Sequence, residues 1–307
     1  FRFKDSDSKG YVTKYLNGNP YLERAPDLDR KQETYDIWLP TAGVSYGFNE
    51  NMEAYFSYGR NFIRPYAYMP IISLYNRERD KFLAAGVTLN DLFKGRDIER
   101  SHNFDFGLRL CRGSIEFNPT VFFSKHKNVL TTVYDPRVKL DYQQNIGKAK
   151  GYGFELGSNL FVADWLTFFI NPTYNHLIYD ADITYQGNTL SAEGKQIVDV
   201  PRWTVASGLI LRYKDFEMIP VMRYLGKRYG DVEHNYEVSS YPVFDLKINY
   251  EKERIKFAEA LKLSLELDNL FNKKYVAVIN AMDDAVSGTT FYVGAPFSIK
   301  GSLSFLF

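Results

Sequence analysis

Two stretches of this chain concentrate the residues best suited to hold an anion or a planar aromatic group. Arg64, Tyr66, Tyr68, Tyr75, Arg77 and Arg79 fall in one, and Arg228, Tyr229, His234 and Tyr236 in the other. Guanidinium groups grip anions through charge-assisted hydrogen bonds, and aromatic faces attract cations. Both stretches are candidate ligand-binding sites. The same residue types also serve an aromatic girdle or simply solvate a loop.

Catalytic and metal chemistry find less material. Cys111 is the only cysteine, so there is no intrachain disulfide and no thiolate metal site. His102, His126, His176 and His234 have no metal-ligand spacing to one another. Asp283-Asp284 lacks the compact oxygen-rich loop that calcium needs. The sequence is read as having neither a Gly-x-Ser-x-Gly element nor a His–Ser pair in matching register on adjacent strands, so no nucleophile with its base is expected. The expectation is a protein that is not an enzyme and has neither cofactor nor metal.

The residues at the chain's end show what positions the candidates. Phe297, Ile299, Leu303, Phe305 and Phe307 alternate with Ser298, Lys300, Ser302, Ser304 and Leu306. Strict alternation makes a strand with one apolar and one polar face. The same pattern recurs at 101–111, 241–251 and 261–271, with every charge on one parity. A Lys or Arg on a lipid face costs about 2–4 kcal/mol near the bilayer midplane, which explains that segregation. Strand 216–224 is less clean, because Ile219 and Val221 share a face with Glu217 and Arg223.

About twelve strands of membrane-spanning length are expected. They are placed at 1–4, 37–48, 52–62, 101–111, 114–132, 142–160, 165–179, 200–213, 216–229, 241–251, 261–271 and 295–307. Short connections near 50, 113, 164, 215 and 255 alternate with long ones at 5–36, 63–100, 133–141, 180–199, 230–240 and 272–294. Outer-membrane barrels put short turns at the periplasmic end and long loops outside. Soluble sandwiches lack that asymmetry and rarely sustain strands such as 114–132 or 142–160. The fold class is therefore all-β, a transmembrane antiparallel barrel.

Composition agrees. Aromatic residues make up 17% of the chain, yet mean hydropathy is −0.33. That combination fits alternate apolar positions with aromatic belts. No run approaches the 18 apolar residues of a membrane helix. A formal net charge of +1 leaves no electrostatic footprint for nucleic acid, and none is expected as a partner.

Several motifs, in order, resemble the C-terminal part of the TonB-dependent outer-membrane receptors. Leu267-Asp268-Asn269-Leu270-Phe271-Asn272-Lys273-Lys274-Tyr275 is similar to the penultimate-strand signature. Gly294-Ala295-Pro296 before the closing strand and terminal Phe307 resembles the family's ending. Tyr55-Phe56-Ser57-Tyr58-Gly59-Arg60, Ile98-Glu99-Arg100-Ser101, Asn145-Ile146-Gly147-Lys148-Ala149 and Val200-Pro201-Arg202-Trp203 match further strands, although Ile98 stands where the family usually has Pro. Asn269, Leu270, Phe271, Asn272, Tyr275, Pro296 and Phe307 are read as structural, with the two asparagines satisfying backbone where a strand bends into a loop.

The resemblance implies a 22-stranded wall with a plugged lumen. It makes residues 1–307 the C-terminal part of that barrel, without the N-terminal plug domain and coupling box. The implied parent is an energy-coupled importer of a scarce, bulky ligand, with ferric siderophores the commonest cargo. Its implied partners are outer-membrane lipid and lipopolysaccharide, the chelate, its own plug, and the TonB complex acting through the plug. A passive porin, or a receptor for cobalamin, haem or oligosaccharide, is the alternative. The haem receptors' Arg-Ala-Pro and Asn-Pro-Asn-Leu elements are replaced here by Phe62-Ile63-Arg64-Pro65 and Met69-Pro70-Ile71-Ile72.

Overall fold

The structure is a computed structural model describing residues 1–4, 7–63, 69–94, 96–255, 258–284 and 288–307. Eleven antiparallel strands form one sheet in which each pairs with its sequence neighbours. They are β1 (Thr41–Asn49), β2 (Met52–Ile63), β3 (Glu99–Arg112), β4 (Ile115–Asp135), β5 (Leu140–Ala163), β6 (Leu166–Tyr179), β7 (Trp203–Tyr213), β8 (Phe216–Leu225), β9 (Tyr241–Ile255), β10 (Ala258–Asp268) and β11 (Ser298–Leu306). β1 and β11 are the open edges. The twelfth expected segment is a strand, Arg2–Lys4, but it pairs with Thr34–Asp36 outside this sheet.

Alternation holds around the wall. Phe104, Leu265 and Leu303 are 37%, 39% and 58% exposed, so they do not meet in a common core. The opposite face carries a polar lattice. Ser57 donates to Asp105 at 2.9 Å, Asn249 to Glu217 at 3.0 Å, and Ser264 to Asn249 at 2.8 Å. Ion pairs Lys247–Glu266, Lys262–Glu251 and Arg212–Glu217 at 3.1, 2.7 and 3.1 Å join it. They line a cleft of about 840 Å³ at the short-turn end. β8 keeps an unbroken register against β9, from Phe216–Tyr250 to Leu225–Tyr241, so Ile219 and Val221 do face inward.

Glycines fit this inner face where an aromatic ring crosses from the next strand. Gly107 lies opposite Tyr55, and Gly153 opposite Phe122. A Cβ at either position would overlap the ring. The Tyr55 hydroxyl continues past Gly107 to Thr120 Oγ1 at 2.6 Å.

Two expected loops are more ordered than the sequence indicated. The connection at 133–141 is largely ladder, because β4 and β5 pair up to Asp135–Leu140 and leave only four residues to turn. These strands have 21 and 24 residues, about twice the 9–11 that cross a bilayer, so the hairpin projects beyond the membrane. The connection at 63–100 folds into α1 (Met69–Arg77), α2 (Arg79–Ala84) and α3 (Leu89–Lys94).

The register carries a direct test. In the membrane-inserted protein, Leu265→Lys is expected to destabilise the wall by about 2–4 kcal/mol. Ser264→Lys, one residue away on the lumen side, should cost under half of that. Urea titration of liposome-inserted protein measures both, and equal costs would refute the facing.

Candidate ligand-binding site

The loops above the wall pack on one another. Ile71, Leu74, Tyr75, Phe82, Val87, Leu89, Leu92 and Phe93 form an apolar cluster with Val138, Leu140 and Tyr142 of the projecting hairpin. A second cluster joins Val133 and Tyr179 to Ile183, Ala192 and Val232 of the next two loops. Local signals fix the helices. After α2, Gly86 takes φ +67°, donates its N–H to Leu83 O, and lets Val87 donate to Phe82 O. Thr88 caps α3 reciprocally: its Oγ1 accepts the Asp91 N–H at 3.2 Å, and Asp91 Oδ2 accepts the Thr88 N–H at 2.9 Å.

Polar ties cross between loops. Arg79 donates twice to Asp27, at 2.7 and 2.6 Å, binding the N-terminal segment to the helical loop. Tyr75 is fully buried and donates to Val87 O at 3.0 Å. Arg228, 3% exposed, donates to Asp199 Oδ1 at 2.7 Å and to the carbonyls of Val276 and Ala277 at 2.5 and 3.2 Å. It ties three loops together.

Among the sequence candidates, Tyr75, Arg79 and Arg228 therefore hold the cap together, with their polar groups turned to protein. Arg77 and Tyr236 are exposed. Tyr229 and His234 stack face to face, with centroids 3.6 Å apart, while His234 Nε2 meets Gln196 O at 2.9 Å. Their stack borders a cleft of about 440 Å³ together with Trp203 and Tyr224. Those two rings have the outward parity, so this cleft opens on the outside of the wall. Arg64, Tyr66 and Tyr68 lie outside the described residues.

Two readings of the serines need correcting. Gly43-Val44-Ser45-Tyr46-Gly47 does spell Gly-x-Ser-x-Gly. It runs inside β1 rather than at a strand-to-helix elbow, so Ser45 is not presented as a nucleophile. On the lumen face, Ser101 does pair directly with His126. His126 Nε2 meets Ser124 Oγ at 3.1 Å, but its Nδ1 stands 4.0 Å from Glu99. That gap is too long for the hydrogen bond that would orient the imidazole.

The penultimate-strand asparagines do what their chemistry allows. Asn269, with φ +50°, donates to the carbonyls of Lys273 and Ala295 at 2.9 Å each and accepts the Lys273 N–H at 2.7 Å. Asn272 accepts the Phe297 N–H at 3.1 Å, bringing β11 back to the wall. Leu270 donates its N–H to Phe244 O at 2.7 Å, and the Phe271 ring meets that of Phe244 edge-on at 5.3 Å. The Tyr275 ring fills the space beside Gly294 and packs on Tyr241 at 4.7 Å. Pro296 and Phe307 are exposed.

An open meander with apolar outside, polar inside, tight turns below and packed loops above is one part of an outer-membrane barrel wall. The chain belongs to the TonB-dependent receptor β-barrel family; the profile described as "TonB dependent receptor-like, beta-barrel" matches residues 1–270. It is 26% identical over 221 residues to the metal-pseudopaline receptor CntO of Pseudomonas aeruginosa, covering 68% of this chain and 29% of that one. It is 26% identical over 203 residues to the ferrioxamine B receptor of Salmonella typhimurium, covering 64% and 26%. The solved siderophore receptor PiuA of Acinetobacter baumannii aligns with a TM-score of 0.65 at 19% identity, covering 97% of this chain and 39% of that one. The ferric citrate transporter FecA aligns at 0.66 and 14%, covering 90% and 39%. The structural likenesses show the fold alone. The chain spans between a quarter and a third of these two curated relatives' length. Those relatives are receptors, not enzymes.

Two outcomes follow from this geometry. Asn269→Ala removes three hydrogen bonds from a left-handed residue and is expected to cost about 2–3 kcal/mol in urea unfolding. Asn269→Gly should cost less than the alanine variant, because it tolerates the same φ. Arg79 holds the Asp27 carboxyl below the usual range, and Arg24 holds Asp29 at about 2. A depressed carboxylate stabilises above its unfolded value and loses that stabilisation as pH falls. Between pH of about 4 and 2, the cap should loosen. Near-ultraviolet circular dichroism of the tyrosines should fall across that window, and Asp27→Asn should start lower at neutral pH.

Proposed function

We propose that this chain is the C-terminal half of the wall of an energy-coupled importer, and that its cargo is a metal chelate of the ferric siderophore class. The observation that carries this is its likeness in sequence to receptors whose names specify metal-pseudopaline and ferrioxamine B. The packed cap supports it, because loops held by their own apolar clusters can present fixed polar groups to a rigid ligand. Arg77 and Tyr236, with Arg64, Tyr66 and Tyr68, are the contacts proposed for an anionic or aromatic chelate. The ion-paired lumen face suits a polar protein domain, here the parent's plug, through which the TonB complex would pull.

A deletion strain carrying the full-length receptor tests the cargo. Growth on one ferric chelate, lost when energy coupling is abolished, is expected. Arg77→Ala combined with Tyr236→Ala should raise the half-saturating chelate concentration by about three- to tenfold at unchanged surface level. Rescue by none of the chelates, with open conductance of the purified receptor in planar bilayers, would instead identify a passive pore.

A further inference from the structure

The lumen face of β3 and β4 brings together a histidine and a glutamate whose nearest atoms no hydrogen bond joins. His126 stands between Ser101 of β3 and Ala149 of β5, both small cross-strand neighbours. Its Nε2 meets Ser124 Oγ at 3.1 Å, and its Nδ1 stands 4.0 Å from Glu99 Oε1. The two side chains are 21% and 16% exposed, so both reach the lumen surface. Glu99 accepts the Leu130 N–H and has no ion pair with a Lys or Arg among the described residues.

That separation is too long for a hydrogen bond, but it suits a third atom between the two side chains. With Nε2–H donated to Ser124, Nδ1 keeps its lone pair. Imidazoles that bind metal are held in this way, with the ring fixed by a hydrogen bond from its other nitrogen. Donors bound to one first-row metal ion at about 2.1 Å each lie about 3–3.5 Å apart. A side-chain adjustment of about 1 Å or less therefore brings both groups onto one ion. Imidazole suits zinc, copper, iron and nickel. Two protein donors are too few to hold a bare ion tightly. They match an ion whose chelator fills all but two adjacent positions.

We propose that Glu99 and His126 form a docking site on the lumen wall that completes the coordination of a chelated first-row metal ion. The Ser101–His126 pair lies three residues to the loop side of the Phe104–Phe123 pair, where a chelate leaving the loops would first meet the wall. The inference deepens the importer reading and rests on it. It narrows the cargo to a chelate with two adjacent open positions, because a chelator that saturates its ion offers nothing for the pair to bind.

The test uses untagged full-length receptor in neutral detergent and two nickel probes, followed by equilibrium dialysis. Nitrilotriacetate leaves two adjacent positions of the ion open, and ethylenediaminetetraacetate leaves none. Wild type should take up the first probe and not the second, a comparison that needs no variant. Glu99→Gln and His126→Gln should each bind nickel nitrilotriacetate at least about tenfold more weakly, and Ser124→Ala, which frees the ring, about tenfold more weakly. His176→Gln should bind like wild type. The visible absorption of nickel should shift on binding wild type, which a merely structural histidine would not cause. Equal uptake of the two probes, no uptake by wild type, or unchanged binding by the His126 variant would overturn the proposal. Such a result beside energy-coupled growth on a chelate would leave the importer reading standing. Uptake of the first probe without growth on any chelate would remove that reading and keep the site.

Discussion

Hydrocarbon offers no hydrogen bonds, and that single constraint organises this chain. Each backbone N–H and C=O at membrane depth must find a partner within the wall. A meander of neighbouring strands is the simplest way to supply one, and β1 to β11 follow it without a crossover. Side chains then sort themselves by parity. Apolar groups face lipid, and polar groups face a lumen where Lys247–Glu266 and Lys262–Glu251 can pair. The edges at β1 and β11 are where the same constraint demands further strands.

Above the membrane the constraint relaxes, and a different physics takes over. Water can satisfy backbone there, so the loops are held by ordinary apolar packing. The projecting β4–β5 hairpin is the mast on which this happens, carrying Val138, Leu140 and Tyr142 into the helical cluster and Val133 into the second. Asp27–Arg79 and Arg228–Asp199 then fasten loops distant in sequence. The loops are thus held by contacts with one another and with the hairpin rather than standing independently.

How much was legible follows from these two regimes. Period-two alternation survives in a single sequence, so the wall strands and their facing were readable from Leu261, Leu263, Leu265 and Leu267 alone. The helices were harder. Ile71, Leu74 and Tyr75 have helical spacing, and Thr88 with Asp91 forms a cap, but the stretch is short and the partner is Asp rather than Glu or Gln. Tyr75, Arg79 and Arg228 read as ligand candidates in the sequence because the chemistry that grips an anion also knots one loop to another. Only burial distinguishes the two. The Ser101–His126 pairing and the Glu99 neighbour depend on interstrand register, which no local pattern specifies.

The paired glycines and rings on the inner face have a mechanical meaning. Tyr55, Phe122 and Phe169 each lie beside a glycine of the adjacent strand, at Gly107, Gly153 and Gly208, so the rings recline against the backbone instead of jutting inward. The inner face is thus smoother than its aromatic content would imply. Whatever lies against this face meets flat ring surfaces held close to the backbone rather than projecting side chains.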